Sequence, residues 1–155
     1  MRFLGIDPGT ARVGFAVIER TDQGLRIIDY GCIEPKNKEK AKRLGIIFDQ
    51  LSAIIKDRKP DAVAIENLYF FKNQKTAFSV GEARGVIILA ANVADKEVLS
   101  PTPLQVKQAL TGYGRANKSQ VQTMVKKIFR LKEIPKPDDA ADALAIAFWL
   151  SAVKR

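Results

Sequence analysis

Four acidic side chains occupy unusual positions in the apolar pattern of the sequence. Asp7 and Glu66 each follow a short apolar run, residues 2–6 and 62–65, that has the character of a buried strand. Asp139 and Asp142 lie three residues apart in the last apolar segment, so they share one face if that segment is a helix. Because sites in open α/β sheets gather at the carboxyl ends of strands, we expect Asp7 and Glu66 to belong to one site.

The absence of histidine from all 155 residues limits the chemistry open to such a site. Ser-His-Asp and Cys-His catalysis and imidazole metal sites are excluded. Carboxylates without histidine suit a hard cation, because Mg²⁺ takes oxygen ligands and lets water and substrate phosphate complete its shell. Two such ions about 4 Å apart can activate water and stabilise the leaving oxygen in phosphodiester hydrolysis.

The charge balance points the same way without deciding the matter. The chain has 26 Lys and Arg against 17 Asp and Glu, a net charge of +9. Such an excess attracts polyanions, because phosphate-bound counterions are released when a basic protein binds. Basic domains without a nucleic-acid function are also common. Clustered acids in a basic protein nevertheless make sense if a metal ion bridges them to a phosphate.

Each acid also has a purely structural interpretation. Asp7 precedes Pro-Gly and can simply form a turn, and Glu66 can be an ordinary acid at a strand end. Asp138 or Asp139 can cap the final helix and complement its dipole, a role that we assign to Asp138. Asp142 is harder to explain in this way, because an unpaired carboxylate one turn into an alanine-rich helix is costly.

The hydrophobic periodicity predicts the elements that must position these acids. Residues 2–6 and 13–19 form an antiparallel hairpin, or nearly so, and a third strand covers 25–33. Helical spacing from about 40 to 56 precedes the wholly apolar strand 62–66, which fits the interior of a parallel sheet. A helix over 75–95, a short strand at 97–100, two helices within 103–129 and a last helix after Pro137 complete the chain.

This order predicts a single α/β domain, residues 1–155, with three antiparallel and then parallel strands and helices on both faces. The helix over 75–95 is apolar nearly all the way round, which indicates burial on more than one side. Asn117 followed by Gln120 resembles a capping box at the start of the second helix in 103–129.

The remaining composition sets the class of protein. With 46% hydrophobic and 28% charged residues, the chain is typical of a globular domain. No uninterrupted apolar run reaches about 18 residues, and the start of the chain lacks a secretory pattern, so we expect a soluble cytoplasmic protein. Cys32 is the one cysteine, which excludes an internal disulfide, and we interpret it as a buried, inert thiol.

Several motifs, in order and spacing, resemble the RuvC family of bacterial Holliday junction resolvases over essentially the whole chain. The matching stretches are GIDPGTARVGFAVIE, AIENLYFFKN, GEARGV, QVKQALTGYGRANKSQVQ and DDAADALAIA. The resemblance implies a ribonuclease-H-like fold and a structure-specific endonuclease that resolves Holliday junctions in recombination and repair. It further implies paired symmetric nicks that leave 5′-phosphate and 3′-hydroxyl ends.

The same resemblance implies roles for individual residues. Asp7, Glu66, Asp139 and Asp142 would be the catalytic metal ligands, with Asp138 as the alternative to Asp139. Magnesium would be the cofactor, with Mn²⁺ as a substitute and two ions per site. Lys107 and Lys118 would be basic catalytic residues, and the DNA-binding residues would be Tyr69, Phe70, Lys72 and Arg115.

The resemblance also implies partners: four-way junction DNA, a second copy of the chain in a two-fold homodimer, and the RuvA and RuvB branch-migration complex. A two-fold homodimer would match the near-symmetry of the junction. The apolar helix over 75–95 is then either the dimer interface or simply the central core helix.

Two other kinds of protein compete with this interpretation. One is a different ribonuclease-H-like protein: a YqgF-type nuclease shares the opening motif, while a sugar-kinase or Hsp70-type ATPase needs a second phosphate loop and more than twice this length. The other is a junction-binding module without catalytic activity. A cleavage assay on a synthetic junction, with Mg²⁺ and with EDTA, distinguishes a nuclease from such a binding module.

Overall fold

The computed structural model describes residues 1–9, 11–67 and 74–154 and contains a five-stranded sheet flanked by five helices. The sheet order is β3-β2-β1-β4-β5. The strands are β1 (Arg2–Pro8), β2 (Val13–Thr21), β3 (Gly24–Ile33), β4 (Ala62–Ile65) and β5 (Glu97–Leu99). The helices are α1 (Lys40–Arg58), α2 (Gln74–Val93), α3 (Pro103–Thr111), α4 (Lys118–Ile128) and α5 (Asp138–Val153).

Strand directions place several chain segments at one edge of the sheet. β2 is antiparallel to both β1 and β3, and β4 is parallel to both β1 and β5. The carboxyl ends of β1, β3 and β4 and the amino end of β2 therefore meet at the same edge, which we call the site edge. The predicted mixed sheet, antiparallel first and then parallel, is confirmed.

Helices cover both faces of the sheet, as predicted. Neighbouring residues of β1 point to opposite faces: Phe3 packs in a cluster with residues of α3, α4 and α5, and Leu4 packs in a cluster with residues of α1 and α2. Both side chains are fully buried. This alternation, the period-2 geometry of a strand, divides the core into two layers.

Two glycines let α5 lie directly on the sheet. A β-carbon added at Gly5 of β1 would stand 2.3 Å from the backbone nitrogen of Ala147, and one added at Gly14 of β2 would stand 2.1 Å from the carbonyl oxygen of Asp139. No side chain fits at either position without moving the helix. The packing of α5 thus depends on glycine at both places.

α2 differs from its prediction. Ala83, Ile87 and Ala90 are buried, but Phe78 is 84% exposed and Val93 is 69% exposed. Burial on more than one side is therefore wrong for the single chain, because one face of α2 packs against α1 and the sheet and the other meets solvent. The central core helix is α5 instead.

By length and mean hydropathy alone, residues 76–93 of α2 could also cross a bilayer, and 22% of that stretch is buried. Core helices of globular proteins pass the same criteria, so this is weak support for a membrane segment.

Candidate active site

Asp7 and Glu66 lie side by side at the site edge. Parallel pairing sets Ile6 of β1 opposite Ile65 of β4, and the Glu66 backbone N–H donates to the Ile6 carbonyl oxygen at 3.2 Å. Asp7 and Glu66 each follow one member of this pair, and both are partly buried. The expectation that the two strand-end acids share a site agrees with this register.

The start of α5 brings the other two acids to the same edge. Gly14 is the register partner of Asp7, and the Asp139 backbone lies directly over Gly14. Asp139 and Asp142 are both partly buried and lie one turn apart. Charge from both acts on Asp7, so the structure brings the four predicted acids into one electrostatically coupled group.

Burial and mutual repulsion raise the pKa values of the innermost carboxyls. Burial is the main cause that raises the pKa of Asp7 to about 8, and the charges of Glu66, Asp142 and Asp139 add to it. Burial followed by the charge of Asp142 raises the pKa of Glu66 to about 7. Burial also raises the pKa of Asp142, against the opposing effect of Lys118. Such crowded carboxylates are unfavourable without a compensating cation.

The donor set fits a hard divalent cation. It consists of carboxylate oxygens with no imidazole, and the crowding that raises their pKa values would be relieved by a bound ion. Within the described ranges, no three Asp, Glu or Cys side chains are arranged to ligate one ion as they stand.

Lys118 lies among the acids of α5. Its ammonium nitrogen is 2.9 Å from Asp138 Oδ2 and 3.8 Å from Asp142 Oδ2. The hydrogen bond to Asp138 is the main cause that raises the pKa of Lys118. Asn117 fixes this position by a capping box with Gln120 at the start of α4, which confirms that prediction.

Asp138 lies in the first turn of α5, where an acid complements the helix dipole as predicted, but it does not cap the helix, so the capping assignment is wrong. Pro137 occupies the N-cap position, and no side-chain cap hydrogen bond forms. The Asp138 carboxylate instead accepts from Lys118 and from the Gln122 side chain at 3.2 Å, and the bond with Lys118 is the main cause that lowers its pKa. Because α4 packs beside the start of α5, the Asp138 carboxylate accepts hydrogen bonds from side chains of α4 and not from backbone N–H groups of α5.

Lys107 completes a cleft beside the acids. Lys107, Lys118, Glu66 and Asp142 line a cavity of about 230 Å³, together with apolar side chains such as Val106. The positive charge of Lys107 opposes the rise in the pKa of Glu66. The cleft is therefore lined by two acids and two cations.

Two arginines near the acids had no predicted role. The Arg12 guanidinium lies 3.8 Å from Asp139 Oδ2 and 3.9 Å from Glu34 Oε1. Arg84 of α2 donates to the Glu66 carbonyl oxygen at 3.4 Å and to Ser100 Oγ at 2.7 Å. Both residues stand within motifs that carried the resemblance, GIDPGTARVG and GEARGV, but only the folded chain shows which groups they contact.

The other predicted residues have mixed outcomes. Arg115 is exposed in the loop between α3 and α4. Tyr69, Phe70 and Lys72 lie outside the described residues. Cys32 is only partly buried, although burial still raises the pKa of its thiol to about 11, so the thiol stays protonated near neutral pH. The prediction that this thiol is buried was wrong, because Cys32 lies in β3, a strand at the edge of the sheet.

The raised pKa values predict a pH-dependent stability in the absence of metal. A carboxyl with a higher pKa in the folded chain favours folding below its unfolded value, here 3.8 for Asp7, and this contribution is lost as the pH rises through about 8. In EDTA we expect the melting temperature to fall more steeply between about pH 5 and pH 9 for the wild type than for Asp7→Asn. The same dependence of melting temperature on pH in both proteins would contradict the electrostatic coupling of Asp7 to the other acids.

The chain is similar to known proteins over almost its whole length. The family model described as crossover junction endodeoxyribonuclease RuvC matches residues 3–149. The RuvC of Halothermothrix orenii is 55% identical over 148 residues, and that of Caldicellulosiruptor saccharolyticus is 53% identical over 149 residues. Each alignment covers 95% of this chain and 90% of the relative.

Solved structures agree in fold. Thermus thermophilus RuvC in complex with a Holliday junction substrate matches with a TM-score of 0.90 at 37% identity, covering 97% of this chain and 93% of that one. The yeast mitochondrial Holliday junction resolvase Ydc2 matches with a TM-score of 0.71 at 12% identity, covering 95% and 77%. The second likeness bears on the fold alone.

The sheet order and the helices on its two faces define a protein of the ribonuclease-H-like class. Within that class the match is specific to one group of enzymes. The chain belongs to the RuvC family of crossover junction endodeoxyribonucleases, which are metal-dependent nucleases.

Proposed function

We propose that this chain, acting as one domain over residues 1–155, resolves Holliday junctions by paired symmetric nicks during recombination and repair in the cytoplasm. The observation that carries the proposal is the coupled group of Asp7, Glu66, Asp139 and Asp142 at the site edge of a RuvC-family chain. The net charge of +9 supports a polyanionic substrate.

The four carboxylates would hold Mg²⁺, with Mn²⁺ as a substitute and two ions per site. When bound, the metal supplies a water of lowered pKa and positive charge for the departing oxygen. The chain itself fixes the backbone positions of the four acids, because two of them end buried strands and two begin a helix packed on the sheet. Cleavage would leave a 5′-phosphate and a 3′-hydroxyl.

Basic residues around the cleft would hold the scissile phosphate. Lys107 and Lys118 share a cavity with Glu66 and Asp142, where an ammonium group can stabilise charge on phosphate oxygens. Arg115, in the adjacent Gly-rich loop, would contact the DNA backbone.

Residues that follow Glu66 in sequence would bind the DNA close to the cut. Tyr69 would stack on an unpaired base, a contact worth about 1–3 kcal/mol, Phe70 would be a further DNA-binding residue, and Lys72 would contact a phosphate. Tyr69→Ala should therefore reduce cleavage more than duplex affinity, and equal losses would instead indicate a packing role.

A synthetic four-way junction tests this function. With Mg²⁺ we expect symmetric nicks with ligatable ends, and with EDTA we expect binding without nicks. The control is a linear duplex of the same sequence, which should stay uncut. Junction binding that persists without any cutting in Mg²⁺ or Mn²⁺ would instead favour a non-catalytic junction-binding module.

The exposed face of α2 supports a two-fold homodimer. Phe78, Leu89 and Val93 are all more than half exposed on this helix, an apolar surface that a second copy would cover. We expect Phe78→Asp to shift the protein from dimer to monomer in analytical ultracentrifugation. Leu104→Asp, at an apolar residue 59% exposed on α3, is the matched control and should remain dimeric. A dimeric Phe78→Asp variant would contradict this interface.

Cooperation with a RuvA and RuvB branch-migration complex is the remaining part of the proposal, and it rests on family membership. Co-sedimentation of this chain with RuvA, RuvB and junction DNA tests it, with the junction alone as control. Sedimentation no greater than with the junction alone would count against such an assembly.

A further inference from the structure

A dense group of cations lies just before and within the first turn of α1. Five occur within eight residues, and we call residues 36–43 the α1 basic segment. Its cations are Lys36, Lys38, Lys40, Lys42 and Arg43. The four lysines are exposed to solvent, so the charge is available to a partner.

The topology places the α1 basic segment at the site edge. It follows β3, whose last residue, Ile33, pairs with Val13, and Val13 in turn pairs with Pro8 at the end of β1. Glu34, which begins the connection, is ion-paired with the same arginine that reaches Asp139. The segment therefore begins at the site edge on the β3 side, whereas Lys107 and Lys118 line a cavity with Glu66 at the end of β4.

The charge of the segment opposes the stability of its own helix. The first turn of α1 contains no acid, and Glu39 at the N-cap forms no side-chain cap hydrogen bond. Cations at a helix N-terminus face the positive end of the dipole, where the unfavourable interaction is about 0.3–1 kcal/mol for each charge. A bound anion would offset this repulsion between the cations and the helix dipole. Selection for folding alone would not favour cations at this end of the helix.

The acids now paired with the segment are easily replaced by phosphate. Lys36 lies 4.0 Å from Glu34, Lys40 lies 3.2 Å from Glu82, and Lys42 pairs with Glu39. All three pairs are exposed at the surface, where an ion pair adds little stability. Phosphate oxygens can take over these lysines at little cost.

A cleft between α1 and α2 adds neutral donors to the cations. Its volume is about 320 Å³, and it is lined by Lys38, Lys40, Thr76 and Ser79 among others. Hydroxyl groups beside lysines are the typical contacts to a phosphate backbone, which orient the nucleic acid without reading its sequence.

We propose that the α1 basic segment binds the phosphate backbone of a DNA arm as it leaves the four acids on the β3 side. This inference rests on the proposed junction-cleaving function, because it names where one arm of that substrate lies. The contact is independent of sequence and of the metal, so it contributes affinity and orientation and takes no part in the chemistry.

The salt dependence of junction binding tests this surface. Lys36→Gln with Lys38→Gln changes two exposed loop residues, and each lost phosphate contact should lower the slope of log affinity against log salt by about 0.9. We expect a slope shallower by about 1.8, which corresponds to an affinity lowered about sixtyfold at 0.1 M salt relative to 1 M salt. The charge-preserving Lys36→Arg with Lys38→Arg should bind as the wild type does.

The matched control lies at the other end of the same helix. Lys56→Gln with Lys59→Gln removes the same charge from exposed residues far from the site edge and should leave the slope unchanged. An unchanged slope in the first variant, or an equal loss in the control, would overturn the inference while wild-type cleavage upholds the proposed function. A wild-type protein that neither binds nor cuts junctions would overturn both.

Discussion

Replacing Asp7 with asparagine is expected to abolish junction cleavage and to leave junction affinity within about a few-fold of the wild type. Asp7 experiences the charge of Glu66, Asp142 and Asp139 together, so it is central to the group. Asparagine keeps the shape but lacks the negative charge that a divalent ion needs, and a loss of at least about a thousandfold is expected. DNA affinity depends mainly on lysines and arginines that the substitution leaves in place.

The Asp7→Asn experiment is a single-turnover cleavage assay paired with a junction-binding titration. Asp49→Asn, at an exposed acid on α1, is the control and should cut normally. Because burial and neighbouring acids oppose the ionisation of Asp7 in the folded chain, the Asp7→Asn variant should also melt no lower than the wild type in EDTA near neutral pH. Normal cleavage by a correctly folded Asp7→Asn variant would refute the role given to this carboxylate.

Adding one methyl group at Gly14 is the second change with a large expected effect. A β-carbon there would lie 2.1 Å from the Asp139 carbonyl oxygen, so the first turn of α5 must move away from β2. Misplacement of a catalytic group by about 1 Å can cost about a hundredfold in rate, and we expect Gly14→Ala to lose at least that much cleavage. Its stability should fall by about 1–3 kcal/mol, the usual cost of overpacking.

Gly45→Ala is the matched control for Gly14→Ala. Gly45 lies in α1, and a β-carbon there meets nothing within 4 Å, so alanine should stabilise the helix by about 0.5–1 kcal/mol. Thermal melting and cleavage are measured on both variants. Cleavage by Gly14→Ala at the wild-type rate would mean that the position of α5 over β2 does not matter to the site.

The fold follows from the sequence because its strands and helices have distinct periods. The strands predicted at 2–6 and 13–19 are β1 and β2, which the structure extends to Pro8 and Thr21. The helix predicted over 40–56 is α1, extended to Arg58. The ends of the strands were predicted less accurately than the strands themselves, because hydrogen bonding to a neighbouring strand decides where a strand stops.

The candidate site was predictable from two local features. An acid that ends an interior strand lies at the carboxyl edge of the sheet, which relates Asp7 to Glu66 before any coordinates are known. Helical spacing of three relates Asp139 to Asp142. The sequence could not show that the two pairs of acids lie close together. Their proximity depends on the packing of α5 against Gly5 and Gly14.

Contacts between distant elements account for the predictions that failed. The pairing of Asp138 with Lys118 joins the starts of α4 and α5, which are separated by 20 residues of sequence. Hydropathy left two alternatives open for α2, core helix or interface, because an apolar surface alone does not show whether the same chain covers it. The capping box formed by Thr102 and Gln105 at the start of α3 had a readable signal in TPLQ that was missed.

A crystal structure of the protein soaked in Mn²⁺ tests most directly whether the four carboxylates form a metal site. Anomalous scattering locates manganese independently of the protein atoms. We predict two peaks among Asp7, Glu66, Asp139 and Asp142, with carboxylate oxygens within about 2.3 Å of the ions. Manganese absent from these acids at saturating concentration, or bound elsewhere on the surface only, would contradict the account.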